Sequence, residues 1–268
     1  MNRLLPTLPL LVVLLSGCPS REAATPVPQP SAEPQKAAVS EATPTYACAR
    51  VSGEITVDGS LDEAAWQAAE VVGPFVQWQG EPAKSKTTAR LLWDDANLYV
   101  AFECEDSDIQ GAMKERDESL WEENEVVELF ADAGHDGGCY LEFEVNPLNT
   151  VVDLVIPQAG APGPIEAKKM WDAEGMETAV QVERPGESDG SWTVEMGIPL
   201  ICFLEAPNTP PRPGDYWRIN LYRVDAVSDR VEYQAWSPTN TDEPAFHVPD
   251  RFGVLRFEGE GGGEAGKS

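Results

Sequence analysis

In the run CYLEFEVNP, residues 139–147, Tyr140, Glu142, Glu144 and Asn146 fall on one side of an extended chain and Leu141, Phe143 and Val145 on the other. Successive side chains of a strand point to opposite faces, so such a run has one core face and one polar face. Comparable runs recur: TTARLLWDD, LYVAFECED, NEVVELFAD, TVVDLVI, METAVQVE, GSWTVEMGIPL, YWRINLYRVD, VEYQAWS and RFGVLRFEG. Turn signals divide them, among them Asp94-Asp95-Ala96-Asn97 and Gly134-His135-Asp136-Gly137-Gly138. Short strands at spacings of about ten residues predict an all-β fold, an antiparallel β-sandwich of jelly-roll type.

One short N-terminal helix is expected in GSLDEAAWQAAE, with Ser60 or Asp62 as N-cap and Leu61, Ala65, Trp66 and Ala69 at helical spacing. Trp66 is expected to pack on the sandwich. Trp93, Trp192 and Trp217 lie inside strand-like runs and read as core. Trp236 ends a strand and is assigned to the core or to the rim of a binding slot; Trp78 and Trp171 sit in loops. Trp121 stands apart, with six acidic residues in ESLWEENEVVELFADAG (118–134) around a flat ring at a polar, exposed place.

The chain ends read differently. Residues 1–17 carry one arginine and an apolar run from Leu4 to Leu15, too short for a bilayer and suited to a secretory signal. Leu15-Ser16-Gly17-Cys18 resembles a bacterial lipoprotein cleavage box, which implies a lipidated Cys18. By resemblance to Gram-negative sorting, Pro19 after that cysteine favours the outer membrane. Residues 18–45 are rich in Pro, Ala, Ser and Thr and read as a disordered tether, and 259–268 as a disordered tail, leaving 46–258 as one domain. A formal net charge of −27 excludes a nucleic-acid partner, which needs a cationic surface. Beyond Cys18, Cys48, Cys104, Cys139 and Cys202 allow three disulfide pairings in an exported protein, and the sequence selects none.

The segments ITVDGSLDEAAWQAAE, LLWDDANLYVAFECED, LWEENEVVELFAD, YLEFEVNPLNTVVDL and AWSPTNTDEPAFHVPDRFGVLRF follow one another in the order seen in family 9 carbohydrate-binding modules. The chain resembles that family over most of residues 50–258. The resemblance implies a sandwich related to DOMON-type domains, two aromatic rings clasping a sugar, polar groups on the strand face binding hydroxyls, and structural calcium in several members. Carried over, Trp121 is the first clasp ring, and Phe246 takes the place where sugar-binding members carry Trp. Glu128 matches a hydroxyl-binding acid. Glu142 and Glu144 stand where the pattern has a cationic or amide residue. Asn146 and Trp236 complete the expected site. A flat ring covers the C–H patch of a pyranose while charged acceptors take its hydroxyls.

The expected function is that of a non-catalytic, membrane-anchored lipoprotein binding a glucan- or xylan-like saccharide, supporting carbohydrate catabolism by a separate glycoside hydrolase. No raised-pKa acid is expected on an open sheet face, and so no glycosidase pair. Two rivals stand beside it: a haem-binding redox lipoprotein ligated through Met170 beside Lys169, or through His247, and a structural surface lipoprotein with a degenerate slot. His247 otherwise reads as a hydrogen-bonded loop anchor. For calcium, Asp94, Asp95 and Asn97 offer oxygens, as do Asp106 and Asp108, although Asp and Asn are ordinary turn residues.

Overall fold

A computed structural model describes residues 43–123, 125–157, 171–184, 190–227 and 230–259. The signal peptide, Cys18, most of the tether and tail, Lys169 and Met170 lie outside the described residues. Within them run strands β1 (Thr45–Arg50), β2 (Val76–Gln77), β3 (Thr87–Trp93), β4 (Asn97–Glu105), β5 (Val126–Asp132) and β6 (Tyr140–Val145). They continue with β7 (Val151–Ile156), β8 (Glu177–Glu183), β9 (Ser191–Pro199), β10 (Tyr216–Val227), β11 (Arg230–Ala235) and β12 (Gly253–Phe257). Two short helices, α1 (Ala64–Ala68) and α2 (Leu120–Glu123), complete the pattern with two 3-10 turns.

The strands pair in the order β7-β6-β5-β10-β12-β1-β3-β4-β9-β8, with β11 on β10 and β2 on β11. β1 is the hinge of this curled sheet. Its residues Thr45–Cys48 pair parallel with Val254–Phe257, and Ala49–Arg50 then pair parallel with Leu92–Trp93. One strand thus serves both layers, while the neighbouring ladders, such as β5 with β10 and β4 with β9, are antiparallel. The pairing also draws Thr45, read as the tether's last residue, into the sheet: its backbone groups gain partners that solvent would otherwise supply.

Period-two alternation builds the core. Leu91, Trp93, Val100, Phe102, Trp192 and Met196 of one layer meet Val127, Leu129, Phe143, Trp217 and Leu221 of the other. The rings of Trp217 and Phe257 meet edge to face, with centroids 4.8 Å apart. Trp66 is fully buried on the outer face of the β3–β4 layer, where its indole N–H donates to Glu195 Oε1 at 2.8 Å. The cap of α1 is Glu63 rather than Ser60 or Asp62, and its side chain makes no cap bond. Glu63 instead accepts the Thr56 N–H, and Asp58 accepts that of Ser60 in the loop before the helix. The four cysteines Cys48, Cys104, Cys139 and Cys202 are free thiols; burial pushes the Cys104 thiol up to about 12.

Candidate functional site

The same alternation that sends Val127, Leu129 and Ala131 inward turns Val126, Glu128 and Phe130 to the outer face of the layer. Phe130 pairs with Glu142 and Glu128 with Glu144 across β5 and β6, so Glu128 and Glu142 are diagonal neighbours on that face. Leu154 and Ile156 extend the floor along β7, Val224 along β10 and Tyr233 along β11. Two separate segments stand over this floor. α2 contributes Trp121, and the connection from β11 to β12 contributes Pro244, Ala245, Phe246 and His247. Together they enclose a cavity of about 410 Å³, within the size range of small-molecule sites, roughly 300–1,000 Å³.

The walls are braced by rings. Phe246 lies flat on Tyr222, with centroids 4.1 Å apart and planes 10° apart, and the Tyr222 hydroxyl donates to the Phe246 carbonyl at 2.9 Å. Tyr233 meets Phe246 edge-on at 5.9 Å and is itself held edge-on by Trp78 at 6.1 Å. The His247 ring covers Phe130 at 5.1 Å. Its Nδ1 shares a 2.7 Å hydrogen bond with the Tyr140 hydroxyl, and its Nε2 is 4.0 Å from Glu142 Oε2. The Tyr140 bond fixes the ring as a loop anchor.

The face is not open. Glu128 is 3% and Glu142 4% exposed, because the two wall segments return over the sheet. Burial first, and the neighbouring charge of Glu142 second, hold the Glu128 carboxyl well above its ordinary range. The absence of a raised-pKa acid, expected from an open face, is thus corrected. Catalysis does not follow. Both carboxyls rise from one floor, whereas a glycosidase needs its pair on either side of the scissile bond. A carboxyl that holds its proton donates as well as accepts, which matches hydroxyls that do both.

Of the expected site residues, Trp121, Phe246, Glu128 and Glu142 line this cavity. Glu144 shares their face but is fully enclosed at 0% exposure and outside the lining. Asn146 is a turn-former: its Oδ1 accepts the N–H groups of Leu148 and Thr150, and its Nδ2 donates to the Met113 carbonyl. Trp236 takes the core reading of the two offered for it. It packs against the inter-sheet core, its ring so close to Gly253 that a Cβ there would lie 2.4 Å away. The parity of β11 explains this: Tyr233 and Ala235 face the outer side, and Gln234 and Trp236 the other. The same parity in VEYQAWS would have nominated Tyr233, which the sequence reading missed.

The turn proposed for calcium is already satisfied. Asp94 Oδ1 accepts the N–H groups of Ala96 and Asn97, its Oδ2 accepts the Tyr99 hydroxyl, and Asp95 pairs with Arg50. Elsewhere the buried carboxylates of Asp106, Glu125 and Asp225 approach within 4.8 Å of one another. Arg223, itself fully buried, reaches Asp106 at 2.8 Å and Asp225 at 3.5 Å. A guanidinium thus supplies the positive charge, and a divalent ion beside it would be repelled. Burial, then the hydrogen bond and charge of Asp106, push Glu125 up to about 10, so it holds a proton.

A curled antiparallel sandwich with an aromatic-walled, carboxylate-floored cavity on its outer face is the architecture of a small-molecule binding module. The family model of carbohydrate-binding family 9 matches residues 56–257, and the chain belongs to that family. It is accordingly a non-catalytic carbohydrate-binding module. An extracellular protein of Arthroderma benhamiae is 28% identical over 183 residues, 64% of this chain and 78% of that protein. Endo-1,4-beta-xylanase A of Thermotoga neapolitana is 26% identical over 211 residues, 76% of this chain but only 17% of the xylanase. The fold is also similar to that of a family 9 module from Caldicellulosiruptor kristjanssonii in complex with cellotriose. That likeness has a TM-score of 0.54 at 17% identity and covers 84% of this chain and 98% of the other.

Proposed function

We propose that this module holds a glucan- or xylan-like oligosaccharide in the cavity over β5 and β6, with Trp121 and Phe246 against the sugar faces and Glu128 and Glu142 on its hydroxyls. The observation that carries this reading is the meeting of those four side chains, distant in sequence, in one cavity. The cellotriose complex of the similar module and the match to a xylanase point to the same ligand class. Braced rings support it as well, since a wall already fixed by Tyr222 and Tyr233 loses little freedom when a ligand arrives. Further, the domain is tethered to a membrane through Cys18, so that it gathers saccharide for a separately encoded glycoside hydrolase. The support here is the Leu15-Ser16-Gly17-Cys18 box and the Pro-rich stretch after it.

Calorimetric titration with cellotriose and xylotriose tests the binding role. Heat of binding with at least one of them, lost in Trp121→Ala, is the expected result; silence toward both contradicts it. Incorporation of a labelled fatty acid, abolished in Cys18→Ala, tests the anchor.

A further inference from the structure

The charge of the cavity points further than its shape. Its floor carries two buried carboxyl groups, and none of the described residues that line it is a lysine or an arginine; the basic group among them is His247, whose Nε2 lies 4.0 Å from Glu142 Oε2. Glu128 is 3% exposed, lines the cavity, and its carboxyl group accepts no hydrogen bond from any described residue. A buried acid without a partner is costly, and proteins normally supply a cation or donors for it. Here the vacancy in the pairing lies on the ligand's side of the floor. A neutral sugar offers hydroxyls to the carboxyl pair but no positive charge to favour its ionised form. A sugar bearing an ammonium group brings three N–H donors and one positive charge to the same spot. The aromatic walls add to the preference, because the faces of Trp121, Tyr233 and Phe246 attract a cation.

Resting on the saccharide reading above, we infer that the preferred ligand is an amino sugar with a free, protonated amine, its ammonium seated between Glu128 and Glu142 and its ring against Trp121 and Phe246. An N-acetylated sugar lacks the charge and is bound like a neutral one. The attraction is ionic, so it weakens with salt, even though the pair is shielded from solvent.

The experiment compares the β-1,4-linked glucosamine disaccharide, its N-acetylated counterpart and cellobiose by calorimetry on the purified protein, in buffer free of divalent ions and again with calcium added. The expected result is that the free amine binds about tenfold or more tighter than either neutral sugar at low salt. In Glu128→Gln, and independently in Glu142→Gln, that ratio falls toward one; thermal unfolding of each variant reports whether it remains folded. Equal or tighter binding of cellobiose overturns the inference and leaves the saccharide reading standing. So does a preference for neutral sugars that appears only with calcium, since a metal would then be the missing cation. If none of the three sugars binds, the saccharide reading itself falls, and the amine preference falls with it.

Discussion

Trp121 and Phe246 line the same cavity but are held differently, and this difference is measurable. Trp121 is partly exposed on a one-turn helix, whereas Phe246 is 9% exposed and stacked on Tyr222. Replacing Trp121 by alanine should cost about 2 kcal/mol of binding, roughly 30-fold in Kd, and change stability by less than about 0.5 kcal/mol. Phe246→Ala should weaken binding too, but also lower unfolding free energy by about 3 kcal/mol, as the loss of a packed ring does. Calorimetry beside urea denaturation separates the two. At Gly253, where a Cβ would sit 2.4 Å from the Trp236 ring, an alanine should cost about 1–3 kcal/mol of stability through overpacking. Much of this scale was legible beforehand. Strand parity put Glu128 and Glu142 on an outer face, and the resemblance nominated the two rings. His247 and Pro244 escaped notice as wall residues because nothing local says that the chain after β11 folds back over the sheet. Trp236 was left between core and rim although a local signal, the parity it shares with Gln234, was available.

Between the ends of β4, β5 and β10 lies a polar knot whose behaviour belongs to the elements rather than to one side chain. Arg223 donates to Asp106, to the Glu105 carbonyl and to Thr87, which in turn donates to Gln234. Arg223→Met removes the cation and leaves buried carboxyl groups uncompensated; the expected loss is about 3–5 kcal/mol. The knot also sets a pH dependence. Glu125 titrates at about 10 in the fold, against an ordinary value of 4.5. Between those values the folded protein binds the extra proton, so stability falls with rising pH and the contribution is fully present only at the acid end of that window. Urea midpoints at pH 5, 7 and 9 should therefore decline, and Glu125→Gln should make the decline shallower; an unchanged slope would show that Glu125 is not the proton holder. The strands themselves could be read from alternation and turn residues. What could not be read was β1: the residues Tyr46-Ala-Cys-Ala-Arg50 look like any short strand, and their split allegiance to β12 and β3 is set by how two layers close on each other.

At the scale of the molecule, the fold divides its labour between two sheet surfaces. The faces turned toward each other are mostly apolar, the Arg223 knot apart, and hold the layers together, while the outer face of the β7-β6-β5-β10-β11 half is covered by returning segments that leave a cavity open. The rigid sandwich positions the floor and the segments supply the walls, so saccharide binding should not remodel the strands. Accordingly, a saturating saccharide should raise the thermal midpoint by mass action, and should leave the far-UV circular dichroism unchanged; a large spectral change would mean that the cavity is formed only on binding. The most direct test of the central claim is a crystal structure of the domain with a bound oligosaccharide. The account predicts one sugar ring in van der Waals contact, about 3.5–4 Å, with both Trp121 and Phe246, and a hydroxyl or amine within hydrogen-bond reach of Glu128. A saccharide bound on any other face, with this cavity empty, would contradict it.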